Sequence, residues 1–313
     1  MNSSLDIIIV NWNAGYHLRD CLDSVVTAKR DGFTLSRVVV VDNASTDGSA
    51  GGLESYDLPL TVIKNLENRG FATACNQGAA GTNADYLLFL NPDTRLYPNS
   101  LSAPIIFMEQ PDHAQVGICG IRLLDETGKP STACARFPTL AIFISEMLGL
   151  ARVFPQVFPP HTMLSKELLH SKEVDQVMGA FFLIRTKLFV NLGALDERFF
   201  LYFEEVDLSL RAKELGYTSY YLSNVAACHA GRVCSKQVPS AALFYSLSSR
   251  FKYACSHYRS LECITLILLT FSIEFASRML LAVARPSVTR VRDVLSAYRR
   301  LAVAMVSGGI KCR

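Results

Sequence analysis

Acids at the ends of apolar runs are the residues best placed in this chain to do chemistry. Asp42 closes Arg37-Val38-Val39-Val40-Val41 and opens Asp42-Asn43-Ala44-Ser45-Thr46-Asp47. A carboxylate there can accept hydrogen bonds from a base or ribose. It can equally cap a helix, the commoner use of such a sequence, since Asp, Asn, Ser and Thr all cap well. Asp93 lies in Asn91-Pro92-Asp93-Thr94, after the apolar run Tyr86-Leu87-Leu88-Phe89-Leu90. Pro92 ends a strand and fixes a turn. A Pro-Asp turn is common in itself. Yet Mg or Mn takes carboxylate, phosphate and water ligands, so Asp93 can share a cation with a nucleoside diphosphate.

The densest group comes later. Gly179-Ala180-Phe181-Phe182 is followed by Phe199-Phe200-Leu201-Tyr202-Phe203-Glu204-Glu205-Val206-Asp207. Acids favour a helix N-terminus through the dipole, which explains their position. It does not explain the aromatics before them. Glu204 and Glu205 are adjacent, so they point different ways. One can act on substrate while the other binds backbone or a cation. Acids beside apolar surface have raised pKa values and suit base duty. His229, in Ala227-Cys228-His229-Ala230-Gly231, becomes a metal ligand only if it lies near Asp93. Otherwise it is a core or capping histidine. In Asn68-Arg69-Gly70-Phe71-Ala72-Thr73-Ala74-Cys75-Asn76-Gln77-Gly78, Gly70 allows close backbone approach to a ligand and Arg69 can meet phosphate. Ala72, Ala74 and Gly78 suit tight helix–sheet packing.

Apolar runs must position these groups. Leu5–Asn11, Arg37–Asp42, Leu60–Ile63 and Tyr86–Leu90 are apolar on both faces and alternate with segments of helical periodicity. Such strands belong in a parallel sheet covered by helices on both sides. Ligands sit beyond the carboxyl ends of these strands. Asn11, Asp42 and Asn91-Pro92-Asp93 are therefore expected to meet at one crevice. After residue 115 the pattern turns mixed, with strands expected at Val116–Leu124 and Val177–Arg185. A helix from Glu204 is expected to stop at Gly216. Pro138, Pro155, Pro159 and Pro160 break residues 137–175, where a mobile or substrate-covering loop is expected. Residues 240–313 read as helical, divided at Pro286.

The chain has 313 residues, half of them hydrophobic, enough for one large domain or two modest ones. Its nine cysteines include no C-x-x-C pair, which leaves zinc-finger and thioredoxin-like chemistry without support. Buried thiols in a reducing compartment are expected. With no secretory leader at Met1–Asp6, the protein is expected in the cytoplasm. No Gly-x-Gly-x-x-Gly follows the first strand, which disfavours a dehydrogenase. Asn11-Trp12-Asn13-Ala14-Gly15 is not the glycine- and arginine-rich loop of a nucleotidyltransferase.

The ordered set Val10-Asn11-Trp12-Asn13, Asp42-Asn43-Ala44-Ser45, Asn68-Arg69-Gly70-Phe71-Ala72, Asn91-Pro92-Asp93 and Phe200–Leu208 resembles glycosyltransferase family 2, in its rhamnosyltransferase-like group. The resemblance runs from Leu5 to about residue 258. It implies an α/β fold of GT-A type, a Rossmann-like mixed sheet flanked by helices, with a C-terminal helical extension. It implies a catalytic domain over 1–239, with a nucleotide-binding half (1–114) and an acceptor-binding half (115–239), followed by a basic helical region, 240–313. The implied activity is inverting transfer of a sugar, L-rhamnose or another deoxyhexose, from a dTDP- or UDP-linked donor. The acceptor is a glycan or lipid-linked glycan of a cell-surface polysaccharide, and the cofactor Mg2+ or Mn2+. Glu205 is then the general base and Asp93 with His229 the metal site. Asn11, Asn13, Asp42, Arg69, Asn76 and Asn91 bind the donor; Gly179, Glu204 and Asp207 bind the acceptor. Two positions depart from the family pattern: Asn91 stands where an acid is usual, and Glu205 is one methylene longer than the usual Asp. They leave open a degenerate transferase that only binds within a membrane assembly.

Residues 250–313 carry 11 Lys and Arg against three acids, while the rest of the chain is mildly acidic. A basic tail suggests an anionic partner. No nucleic acid is expected; a membrane surface, met through the C-terminal helices, and a homodimer are the candidate partners. Cys263–Ile273 is too short an apolar run to span a bilayer. In the last helix Val288, Val291, Leu295, Tyr298, Ala302 and Met305 share a face, away from Arg290, Arg292, Arg299 and Arg300. That face fits a membrane surface, or packing on the domain or a second subunit.

Overall fold

A computed structural model describes residues 3–231, 233–284 and 288–310. Pro286, Cys312 and the side chain of Val288 lie outside the described residues.

Eleven strands and eleven helices are described. The apolar runs of the first half become β1 (Ser3–Asn11), β2 (Phe33–Asp42), β3 (Leu60–Lys64) and β4 (Tyr86–Leu90), with α1 (His17–Thr27) and α2 (Phe71–Ala79) between them. β5 (Thr94–Leu96), α3 (Ser102–Met108) and β6 (Val116–Leu124) follow. Next come β7 (Cys134–Ala135), α4 (Leu140–Met147), α5 (Leu150–Val153), β8 (Lys172–Val174), β9 (Gln176–Val177) and β10 (Phe181–Arg185). Then come α6 (Thr186–Asn191), α7 (Glu204–Glu214), β11 (Thr218–His229), α8 (Pro239–His257) and α9 (Ser260–Leu269). A π turn over Thr270–Glu274 leads into α10 (Phe275–Ala284), and α11 (Val288–Val306) follows.

The chain divides into two compact units: 1–136, 162–197 and 204–234 form one, and 137–161, 198–203 and 235–313 the other. This is not the single boundary at 239/240 read from the sequence. The reason lies in α4. Its Phe143 packs with Leu247, Phe251, Leu266 and Leu301 in the core of the second unit. Nor is 137–175 an irregular cover. Thr139 caps α4 by accepting the Ile142 N–H at 3.2 Å, and two helices plus strand β8 fall within the stretch.

The first unit is built on one mixed sheet, ordered β3-β2-β1-β4-β10-β6-β11-β5, with β8 paired to β11. β1 runs parallel to β2 and β4, and β10 enters antiparallel to β4. Ile7, Ile9, Val38, Val40, Leu87 and Leu88 have no exposed surface, as burial on both faces requires. Gly78 of α2 is needed for close packing: a Cβ there would stand 2.5 Å from Cγ2 of Ile8 and 3.1 Å from Val41.

In the second unit, α11 turns Ala297, Tyr298 and Leu301 inward. Tyr298 packs edge-on to Phe271 and Phe275, and Arg300 lies over Phe244 at 4.4 Å. Tyr298 is spent on packing, while Leu295 and Ala302 of the expected face are exposed. Arg250 of α8, itself buried, binds Thr270 Oγ1 at 2.9 Å and the carboxylate of Glu274; Arg278 binds the other oxygen of Glu274. Six cysteines are buried free thiols and Cys234 is a partly buried one.

Candidate active site

The carboxyl ends of β1, β2 and β4 form the floor. Asn11 and Asp42 are direct partners across the β1–β2 ladder. The buried Asn11 Nδ2 donates to Asp42 Oδ1 at 3.0 Å, Ser45 Oγ at 3.0 Å and Ser49 Oγ at 2.9 Å. Asn13, with φ of 49°, accepts the Thr46 N–H on its Oδ1 at 2.7 Å. These bonds clamp the loop after β1 to the loop after β2. The Asp42 segment is therefore organised by its neighbours in space and opens no helix of its own.

Asn43 does the same on the other side, and sequence reasoning missed it. Its Oδ1 accepts from Asn65 Nδ2 at 3.0 Å and from the Arg69 N–H at 3.2 Å. Its Nδ2 donates to Asn68 Oδ1 and to the Gly70 carbonyl. Gly70 has φ 87° and ψ 165°, a conformation that suits glycine. The loop so held presents an exposed Arg69. The run of asparagines at 43, 65 and 68 was the available signal.

The turn after β4 is tied to β10. Asn91 N and Thr94 Oγ1 both donate to the Ala180 carbonyl, at 3.2 and 3.1 Å. Asp93 projects from this turn. β5 pairs antiparallel with β11, placing His229 opposite Thr94, and the Ala230 N–H bonds the Asp93 carbonyl. As a result His229 Nε2 lies 3.3 Å from Asp93 Oδ1. Burial pushes the Asp93 carboxyl up, but the hydrogen bond and charge of His229, with help from His17, leave it below its ordinary value. Asp93 opens on a cleft of about 230 Å³ lined also by His17, Asp20, Arg95 and Glu126. Nothing in the sequence signalled His17.

Gly179, beside Ala180, touches the second acidic group. A Cβ on Gly179 would be 3.6 Å from Glu205 Oε1. Burial pushes the Glu205 carboxyl up; hydrogen bonds from its own amide and that of Gly179 draw it only part of the way back. Glu205 Oε2 is buried with no hydrogen-bond partner among the described residues. Cys75 of α2 backs the pair, its thiol pushed up by burial and then by Glu204 and Glu205. The residues just before α7, Tyr202 and Phe203, have φ of 69° and 72°. Left-handed backbone at such side chains costs about 1–3 kcal/mol each and gathers at functional sites.

The other expected residues have different surroundings. Glu204 is buried on the first turn of α7. Asp207, also buried, binds Arg211 Nε at 2.8 Å, and Arg211 in turn caps the Leu192 and Ala194 carbonyls. Asn76 donates to the Leu195 carbonyl at 2.8 Å and to Glu197, and accepts from the Leu195 N–H. Asn76 and Asp207 thus brace α2 and α7.

The family model described as glycosyl transferase family 2 matches residues 6–169, half of the chain. The chain belongs to this family. Among its relatives is a protein named rhamnosyltransferase WbbL from Escherichia coli, 33% identical over 54% of this chain and 61% of that protein. The chain thus spans under two thirds of that relative's length. Another, from Mycobacterium tuberculosis, is named N-acetylglucosaminyl-diphospho-decaprenol L-rhamnosyltransferase; it is 26% identical over 73% of this chain and 76% of its own. The fold is that of GT-A glycosyltransferases. It matches a Pyrobaculum calidifontis mannosyltransferase solved with GDP-mannose and Mn2+ at TM-score 0.56 and 16% identity, over 99% of this chain and 82% of the other. Staphylococcus aureus TarS 1–349, solved with UDP-GlcNAc, matches at TM-score 0.53 and 15% identity, over 94% and 79%.

For this family 2 chain the fit of a divalent cation can be tested on the donor set. No group of three or more His, Cys, Asp or Glu side chains suited to a metal occurs among the described residues. An ionised Asp93 with His229 beside it does fit a cation whose remaining ligands are diphosphate oxygens and water, the usual mode for Mg.

Proposed function

We propose that the chain is an inverting glycosyltransferase. It moves a deoxyhexose, L-rhamnose foremost, from a dTDP- or UDP-linked donor to a glycan or lipid-linked acceptor in cell-surface polysaccharide synthesis. The observation that carries this reading is the carboxylate of Glu205, held beside Gly179 while its buried Oε2 has no hydrogen-bond partner among the described residues. A carboxylate so placed takes the proton of an acceptor hydroxyl. The freed oxygen attacks the anomeric carbon opposite the diphosphate, the C–O bond to the diphosphate breaks, and its electron pair leaves on the phosphate oxygen. The configuration inverts in this single displacement. Asp42 receives the base or ribose, and the exposed Arg69 meets the diphosphate. Asp93 and His229 would hold Mg2+ or Mn2+, which stabilises the leaving diphosphate. The names of the E. coli and M. tuberculosis relatives favour rhamnose.

The test is transfer from a panel of dTDP- and UDP-sugars to glycan and polyprenyl-diphosphate-linked acceptors, with product configuration read by NMR. Expected is an inverted linkage, with the best turnover from a deoxyhexose donor. A retained anomeric configuration would overturn the mechanism. Nucleotide binding without turnover of any donor would instead leave a binding protein on a transferase fold.

A further inference from the structure

The second unit carries a surface that sugar transfer does not account for. From Ser260 to Ala284 the chain is one helical run of 25 residues, with mean hydropathy 1.8 in its best window and only 22% of that window buried. Two stripes run along it. Cys263, Leu266, Thr270, Glu274 and Ala282 face inward. Leu261, Ile264, Leu268, Ile273, Leu280 and Val283 are 37% to 75% exposed. At 1.5 Å per residue the run is about 37 Å long, and apolar surface of that extent marks an interaction site.

Its charges show how the run can meet a partner. Glu274 is turned inward, to Arg250 of α8 and to Arg278, at the π turn. If the run crossed a bilayer, this ionic group would be pulled off α8 into hydrocarbon, where each unpaired charge is costly. The run therefore stays packed on its unit and offers only its outer face. Around it the chain is strongly basic: 11 Lys and Arg against three acids over residues 250–313. Arg259, Arg290, Arg292 and Arg299 are exposed. An apolar face within a positive field complements a lipid surface with anionic headgroups. A second copy of this chain would bring the same positive field against itself.

We propose that the outer face of α9 and α10 is a monotopic membrane contact. Its leucines and isoleucines lie at the acyl boundary of an anionic bilayer, and the exposed Arg259, Arg290, Arg292 and Arg299 engage lipid phosphates. The sequence left the apolar face of α11 open between a membrane surface and packing; here that face is partly spent on packing, and the membrane contact falls to the preceding helices. This inference stands on the surface alone and does not depend on donor, acceptor or catalysis.

The test is co-flotation of the full chain with phosphatidylcholine vesicles, with and without phosphatidylglycerol. Expected is flotation that strengthens with phosphatidylglycerol and weakens with salt. The combined variant Leu261→Glu, Leu268→Glu, Leu280→Glu should lower vesicle partitioning by about tenfold or more. Hydrogen exchange of the unaltered chain, with and without vesicles, gives a reading independent of any variant: protection on vesicle addition should concentrate in 260–284. Overturning results are a chain that stays unbound with every vesicle, a variant that floats as well as the parent, or protection elsewhere. A parent dimer that the variant converts to monomer would assign the face to a second copy and equally overturn the proposal.

Discussion

Asp93 and His229, separated by 136 positions in the chain, are brought within 3.3 Å because β5 and β11 pair antiparallel at Thr94 and His229. The pair is set by a backbone ladder, so neither side chain has to search for the other. If the pair holds a cation as proposed, it is rigid before binding and loses little entropy on capture.

Removing the carboxylate charge at this pair should separate binding from fold. Asp93→Asn is expected to abolish the extra thermal stabilisation that Mn2+ adds to a nucleoside diphosphate, and to slow transfer by about a hundredfold or more. The same variant has a pH signature. The Asp93 carboxyl is held below its ordinary value in the folded chain, so the unfolded chain binds more protons there. Its contribution to stability is present above the ordinary Asp pKa of about 3.9, and is lost as pH falls through the folded value. Thermal melts of parent and variant should therefore differ at pH 7 and converge in strong acid.

Glu205→Gln keeps shape and removes the proposed base. Donor affinity by calorimetry should stay within about twofold, while transfer should fall by about 10²–10⁴-fold, the usual worth of general base catalysis. Near-normal transfer would move the base to Glu204 or Asp207.

Stability should respond in the opposite sense to that at Asp93. Glu205 is raised in the folded chain, chiefly by burial. Between the ordinary Glu pKa of about 4.3 and the folded value, the folded chain binds more protons than the unfolded one. Stability is lost as pH rises through that window, and the full cost persists above it. Glu205→Gln should then melt higher than the parent at pH 7–8, with the advantage vanishing below about pH 4. In the parent, transfer should decline on the acid side at a pH above the ordinary Glu value.

Gly78→Ala tests the seat of α2. Alanine is favoured over glycine in a helix by about 1 kcal/mol, but its Cβ would meet Ile8 at 2.5 Å in a strand with no room to yield. Overpacking of a core costs about 1–3 kcal/mol. The clash should win, lowering the melting temperature by several degrees.

Much of this was legible in the residues. Apolar runs ended by Asn11, Asp42 and Asn91 predict strands whose carboxyl ends meet, and the β1–β2 register pairs Asn11 with Asp42. Local patterns could not show which far segment closes on which. His229 near Asp93 depends on β11 crossing to β5, and periodicity holds no trace of that pairing. The prolines between 138 and 160 concealed α4 because they flank it and leave its interior intact. Asn76 and Asp207 have the right chemistry for a site, but the structure gives their polar atoms to Leu195, Glu197 and Arg211. For α11 the apolar face was legible; how much of it the neighbouring helices would cover was not.

The amide nitrogen of Asn11 has two hydrogens and three oxygens within 3.0 Å. With three acceptors for two hydrogens, the hydrogen bonds can be redistributed among them. A ligand that takes Asp42 for itself thus strands no donor: the amide turns to the two serine hydroxyls and stays satisfied. If this strand end receives the donor nucleotide as proposed, the nucleotide can come and go while the loops around it hold their shape.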